Sequence, residues 1–134
     1  MRYMGLDIGD RWIGVALSDP SGKLASPFTI LERSDDTADL ETINALVTEN
    51  RVGGVIAGLP RMLNGSVGRQ AEKVNTFIDK LRDELPVQVE VRDEWLTTVS
   101  ARRIMQETGG KKARGKRDDA VAAAVLLQAF LDEL

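Results

Sequence analysis

The stretch Met4-Gly-Leu-Asp-Ile-Gly9 constrains this chain more than any other. It is an apolar run carrying one carboxylate, Asp7. Soon after it comes Trp12-Ile-Gly-Val-Ala-Leu-Ser18, a second apolar run that alternates at every other residue. Two such runs around a short turn predict a strand, a tight turn and an antiparallel partner strand, over residues 2–8 and 12–18. Asp7 then lies inside a sheet strand, near its carboxyl end. A bare carboxylate there is costly unless a cation meets it. An arginine, a nucleotide's metal or a catalytic metal each meets that need, and the function turns on which one is present.

The chain contains neither cysteine nor histidine. Disulfides, Cys/His zinc sites and thiol nucleophiles are therefore excluded, and so is Ser-His-Asp chemistry. Catalysis must rest on carboxylates, Lys, Arg, hydroxyls or Tyr3, with a hard, oxygen-liking ion such as Mg²⁺ or Mn²⁺ as their complement. A length of 134 residues predicts one domain, 1–134, with a single core. No apolar run approaches the roughly 20 residues of a membrane helix, and the first residues lack a signal peptide's apolar region. A cytoplasmic protein without a membrane partner is expected. The net charge of −3 is not that of a bulk nucleic-acid binder. Its distribution says more: Lys111, Lys112, Arg114, Lys116 and Arg117 place five cations in seven residues.

Leu24 to Leu31 reads as a third strand, interrupted by Pro27 and so placed at a sheet edge or a strand start. Asp35-Asp36-Thr37 offers N-cap oxygens ahead of Leu40, Ile43, Leu46 and Val47, and Asn50 closes that helix. Val52 to Ala57 has the continuous apolar pattern of a buried parallel strand. After the loop 61–66, Val67, Ala71, Val74, Phe77, Ile78 and Leu81 form the apolar face of a long helix. Val87 to Val91 makes a last strand ending in Arg92-Asp93-Glu94. A helix follows from about Thr97 to Glu107, stopped by Gly109-Gly110. Lys111 to Arg117 reads as a basic loop, and Asp118-Asp119 as the cap of a final helix, apolar nearly all round and so buried. The order βββαβαβαα predicts an α/β fold, with helices on both faces of the sheet.

Three acids stand out. Asp7 ends the first strand, Glu94 ends the last, and Asp118 or Asp119 begins the last helix. In open α/β sheets, sites form at the carboxyl ends of strands. Three acids gathered there repel unless cations lie between them. Two divalent ions about 3.5–4 Å apart are a familiar arrangement for phosphodiester hydrolysis, one activating water and both stabilising charge. Each acid also has a plain structural role: Asp7 as an arginine's partner, Glu94 as a solvated strand-end acid, Asp118 and Asp119 as caps worth about 1 kcal/mol. The basic loop is either a solvated tract or a grip on a phosphate backbone. Gly65-Ser66, before a helix, offers amides to an anion or forms an ordinary loop and cap.

These residues bring a resemblance. Leu6-Asp7-Ile-Gly9 with Ile13-Gly-Val-Ala16 and Ser18-Asp19 is similar to the opening strand pair of the YqgF/RuvX family, in the RNase H-like superfamily. Gly58-Leu59-Pro60 with Gly65 resembles its central motif. Asp93-Glu94-x-Leu96-Thr97-Thr98, continued by Ala101-Arg102, resembles its most telling one. Gly109-Gly110 and Lys116-x-x-Asp119 through Leu127-Gln128 resemble its ending. The resemblance implies an RNase H-like mixed five-stranded sheet whose first three strands form an antiparallel meander. It implies a metal-dependent nuclease in which Asp7, Glu94 and Asp119 are catalytic acids holding Mg²⁺ or Mn²⁺. Asp119 is chosen by anchoring on Leu127-Gln128 and Phe130, with Asp118 as its substitute. Arg102 or Arg103, with the loop cations, would neutralise flanking phosphates.

Two substrates follow from the resemblance: the 5′ end of precursor 16S rRNA, which is favoured, and four-way (Holliday) DNA junctions. Resolving a junction needs a dimer with two facing sites; RNA end processing asks only for a monomer or homodimer. A catalytically silent RNA-binding module in ribosome assembly is a third reading. The chain departs from the family at Trp12 and Trp95, where arginine is usual, and at Asp10, where threonine is common. A tryptophan there either packs or stacks on an unpaired base, worth about 1–3 kcal/mol.

Overall fold

The two alternating apolar runs become the middle of a sheet. In the computed structural model, which describes residues 1–9, 11–59, 69–93 and 116–134, β1 (Arg2–Ile8) pairs antiparallel with β2 (Trp12–Ser18). The Gly9 N–H donates to the Trp12 carbonyl at 2.9 Å and closes the turn. β3 (Ala25–Glu32) pairs antiparallel with β2 on the outside. β4 (Val52–Leu59) lies parallel to β1, and β5 (Gln88–Asp93) parallel to β4, so the order is β3-β2-β1-β4-β5. This is the expected mixed five-stranded sheet with its opening meander. Pro27 sits in the edge strand, beside a shift of register between Val15 and Ala16, where a missing N–H is tolerated.

Alternation sorts the strand residues between two helical layers. Met4, Leu6, Ile8, Ile13, Val15 and Leu17 pack with Leu40, Ile43 and Val47 of α1 (Asp36–Glu49) and with Val74, Phe77 and Leu81 of α2 (Arg69–Glu84). Asp35 caps α1 by accepting the Ala38 N–H at 2.8 Å, and Asn50 ends it, as its sequence suggests. The opposite face carries α3 (Lys116–Asp132), where Ala16 and Ile56 meet Ala123, Leu126, Leu127 and Phe130. Among the described residues no helix is long and apolar enough to cross a membrane.

The fit of α3 depends on missing side chains beneath it. A Cβ on Gly5 would stand 2.7 Å from the Ala123 carbonyl oxygen and 2.9 Å from the Leu127 Cβ; one on Gly14 would collide with the Asp119 carbonyl group. Helix backbone therefore rests almost directly on strand backbone. Further along, Gln128 fixes the helix lengthwise. Its Oε1 accepts the Ala25 N–H at 2.9 Å, and its Nε2 donates to the Lys23 carbonyl at 2.9 Å.

Two boundaries differ from the reading of the sequence. β4 runs on through Leu59, because its ladder with β5 continues to Asp93. α3 is already helical at Lys116, so Asp118 and Asp119 lie inside its first turn and are not its cap. Charge suggested a loop at Lys116 and Arg117, but both are good helix formers. The helix expected near 97–107 and most of the basic loop lie outside the described residues.

The β2–β3 turn is built by Asp19. Its carboxylate accepts N–H groups of Ser21, Lys23 and Leu24, at 3.2, 2.8 and 2.9 Å, and the Ser21 hydroxyl. The Leu24 amide first, then the Ser21 hydroxyl and the Lys23 amide, hold this carboxyl far below the usual carboxylate range. Because the folded value is depressed, its contribution to stability is complete above about pH 4 and is lost as pH falls through the folded value. Asp19→Ala is therefore expected to lower the urea midpoint at pH 7, with the gap to wild type closing in strong acid; a gap independent of pH contradicts this. Gly14→Val is expected to cost about 1–3 kcal/mol or more through overpacking. Gly53→Ala should be tolerated, since only the flexible Met1 side chain need move. Equal urea midpoints for these two glycine variants would contradict the account of α3.

Candidate active site

Asp7 lies one residue from the end of β1, and the register places it in a row across the sheet: Gly14 of β2, Asp7, Gly58 of β4, Arg92 of β5. Both of its lateral neighbours are glycines, so the carboxylate stands between two positions without side chains. Asp7 is 9% exposed. No hydrogen bond or ion pair joins its side chain to another described residue. The arginine pairing considered from the sequence is not seen among the described residues. Arg92, in the same row, turns to Glu90 and Glu133, at 3.3 and 3.4 Å, with its guanidinium over the Phe130 ring. Arg33 is taken by Asp36 and Asp39, and Arg11 lies over the Trp12 ring. A carboxylate that keeps only slight contact with water is unfavourable unless a cation meets it. That need is what a bound cation would meet.

Asp119 arrives from the other layer. Its main-chain carbonyl lies against Gly14, the residue facing Asp7 across the β1–β2 ladder. The first turn of α3, with Asp118 and Asp119, thus sits over the strand pair at Asp7. Ala123, Leu126 and Phe130, on the same face as Asp119, are buried against the sheet. The helix N-terminus also turns the positive end of its dipole toward this site.

Glu94 lies outside the described residues; the last described residue of β5, Asp93, pairs with Leu59, beside Gly58. Among the described residues, no three acids, histidines or cysteines gather as a metal group. Oxygen ligands with no nitrogen or sulfur suit Mg²⁺ or Mn²⁺, so the acids present fit such an ion. Arg102, Arg103, Lys111, Lys112, Arg114, Gly65, Ser66, Asp10 and Trp95 also lie outside the described residues. Lys116 and Arg117 share the first turn of α3 with the two acids. Asp19 stands just past the far end of β2 and serves its turn. Trp12 begins β2, two residues from Gly14 on the face toward α3, and is half-buried.

Sequence reasoning missed the glycine row. Gly14 looks like an ordinary strand glycine, and Gly58 like the end of its strand, until the register aligns both with Asp7. The one available signal was that glycine weakens a strand and often marks a close approach.

A family model described as "RuvX: Holliday junction resolvase" matches residues 1–133. A Dehalococcoides mccartyi protein named "Putative pre-16S rRNA nuclease" is 50% identical over 126 residues, spanning 94% of each chain. A Clostridium botulinum (strain Hall) protein of the same name is 42% identical over 135 residues, spanning 100% of this chain and 98% of its own. Among solved structures, Thermus thermophilus RuvC in complex with a Holliday junction substrate superposes with a TM-score of 0.64. Its identity is 16%, over 99% of this chain and 95% of that one, which is a likeness of RNase H-like fold. On the sequence match over nearly its whole length, this chain belongs to the RuvX (YqgF) family.

Proposed function

We propose that this chain is a metal-dependent nuclease, a single domain over 1–134, that hydrolyses phosphodiester bonds at the 5′ end of precursor 16S rRNA in the cytoplasm. The observation that carries this reading is Asp7, buried between two glycines, with no protein partner among the described residues. Asp7, Glu94 and Asp119, with Asp118 as the substitute for Asp119, would hold Mg²⁺ or Mn²⁺. Ions bound there supply Lewis acidity and neutralise the charge that builds on a phosphate during hydrolysis.

The chain's own groups prepare the rest. The α3 N-terminus presents a positive dipole end to a phosphate. Lys116 and Arg117 on its first turn, with Lys111, Lys112, Arg114, Arg102 and Arg103, are assigned to flanking phosphates. Gly65 and Ser66 are assigned to a backbone-amide contact with the same strand.

The names of the relatives at 50% and 42% identity favour RNA. The description of the family model and the fold likeness to RuvC support a second reading, a resolvase of four-way DNA. That reading requires a dimer with two sites facing one junction, whereas RNA end processing works from a monomer or a homodimer.

The test compares purified wild type with Asp7→Asn, in Mg²⁺ and in Mn²⁺, on a 5′-extended single-stranded RNA and a four-way DNA junction. Wild type is expected to cut the RNA. The variant should lose about 10²–10³-fold in rate, the order seen when one group stabilising the transition state is removed. Paired symmetric cuts in the junction, with no RNA cleavage, would replace this reading with the resolvase. RNA binding without cleavage of either substrate would leave the silent assembly module.

A further inference from the structure

The end of β1 is held from the side of the sheet opposite α3. Arg33, just past β3, reaches under the β1–β2 turn. Its Nη1 donates to the Gly9 carbonyl at 3.1 Å, its Nε to Asp39 at 2.8 Å and its Nη2 to Asp36 at 3.0 Å. Its guanidinium lies 4.7 Å from the centre of the Phe77 ring. The backbone joins in: the Arg33 N–H donates to the Arg11 carbonyl at 2.7 Å. Asp39 is 5% exposed, and it also accepts the Ser34 N–H at 3.1 Å. One planar cation thus ties two acids of α1 to the turn that follows Asp7.

Among the described residues, no other side chain donates a hydrogen bond to the Gly9 carbonyl. The turn borders a cleft of about 410 Å³ whose walls include Gly9, Arg33, Ser34, Lys73 and Thr76. Gly9 has no side chain with which to anchor itself. It is two residues from Asp7, and its own N–H closes the turn onto Trp12. A shift of the Gly9 carbonyl therefore moves the carboxyl end of β1. Buried ion pairs contribute little net stability against apolar replacements, and their best-attested use is to fix one arrangement of the chain. A guanidinium can span three acceptors in a fork; a lysine ammonium acts as a single point.

We infer that Arg33 is a positioning residue for the candidate active site, holding the Asp7–Gly9 segment through the Gly9 carbonyl while Asp39 and Asp36 hold Arg33. The inference rests on the nuclease reading of that site. It separates from a plain structural ion pair, because its effect should appear at Gly9 and at the cation, and not in stability alone.

Removing Arg33 alone would leave Asp39 buried and unpaired. The double variant R33M/D39N withdraws both charges and keeps the apolar stem over Phe77. R33K keeps the charge without the fork, and D36N removes one tether while leaving the Gly9 contact. Two quantities are read: amide exchange of Gly9 in the metal-free protein, and Mn²⁺ affinity by titration. In R33M/D39N and in R33K, Gly9 exchange should quicken about 10-fold or more and Mn²⁺ binding should weaken about 10-fold, the scale of losing an outer support of a metal site. D36N, which keeps the Gly9 contact and the Asp39 pair, should move both quantities in the same direction but by less than R33K does. Gly9 exchange unchanged in R33K overturns the inference, and so does faster exchange with unchanged Mn²⁺ affinity. Mn²⁺ binding that Asp7→Asn fails to weaken overturns the nuclease reading itself, and the inference with it.

Discussion

The candidate site turns on one carboxylate, Asp7, that is buried in the sheet and paired with no other described residue. Asp7 sits in the central strand of the sheet, where burial is deepest and an unpaired charge is least welcome. The described arginines that might have satisfied it are engaged elsewhere. Arg92 is drawn to Glu90 and Glu133, and Arg33 to Asp36 and Asp39. The neighbours of Asp7 across the sheet are glycines, so no side chain closes over it from the adjacent strands. An apolar residue there would avoid the cost of burying a carboxylate, which is why the acid marks the position as a candidate site.

The two helical layers divide the work of shaping that position. On one face, α3 lies so close that Gly5 and Gly14 must be glycines, and this contact carries Asp119 to the neighbour of Asp7. Gln128 then sets how far along the sheet the helix lies, through its bonds to Ala25 and Lys23. On the other face, α1 and α2 supply the large apolar core, and α1 supplies the acids that hold Arg33 under the turn. A rigid sheet with a packed layer on each side suits a site in which small displacements are expensive.

Much of this fold was legible in the residues. Period-2 alternation placed the hairpin at 2–8 and 12–18, Pro27 marked the edge strand, and Asp35 and Asn50 bracketed α1, because each is a local signal of backbone geometry. The start of α3 was misread because Lys116 and Arg117 were judged by charge, and charge does not decide helicity. The acid Asp7 was legible as an anomaly inside an apolar strand. Its surroundings were not, since which glycine faces it is a property of register. Arg33 was invisible for the same reason: its partners lie on the turn before β2 and on the helix after β3, and nothing local distinguishes it from a surface arginine.

The most direct test of the central claim is where a paramagnetic divalent ion binds. Amide resonances of the isotopically labelled protein would be followed as Mn²⁺ is added in small amounts. The account predicts broadening centred on Ile8, Gly14, Gly58 and Ala120, with the residues near Gln88 and Leu134 at the far rim remaining sharp, and loss of that pattern in Asp7→Asn. Broadening centred elsewhere, or the same pattern in Asp7→Asn, would contradict the assignment of Asp7 as the ligand around which the site is built.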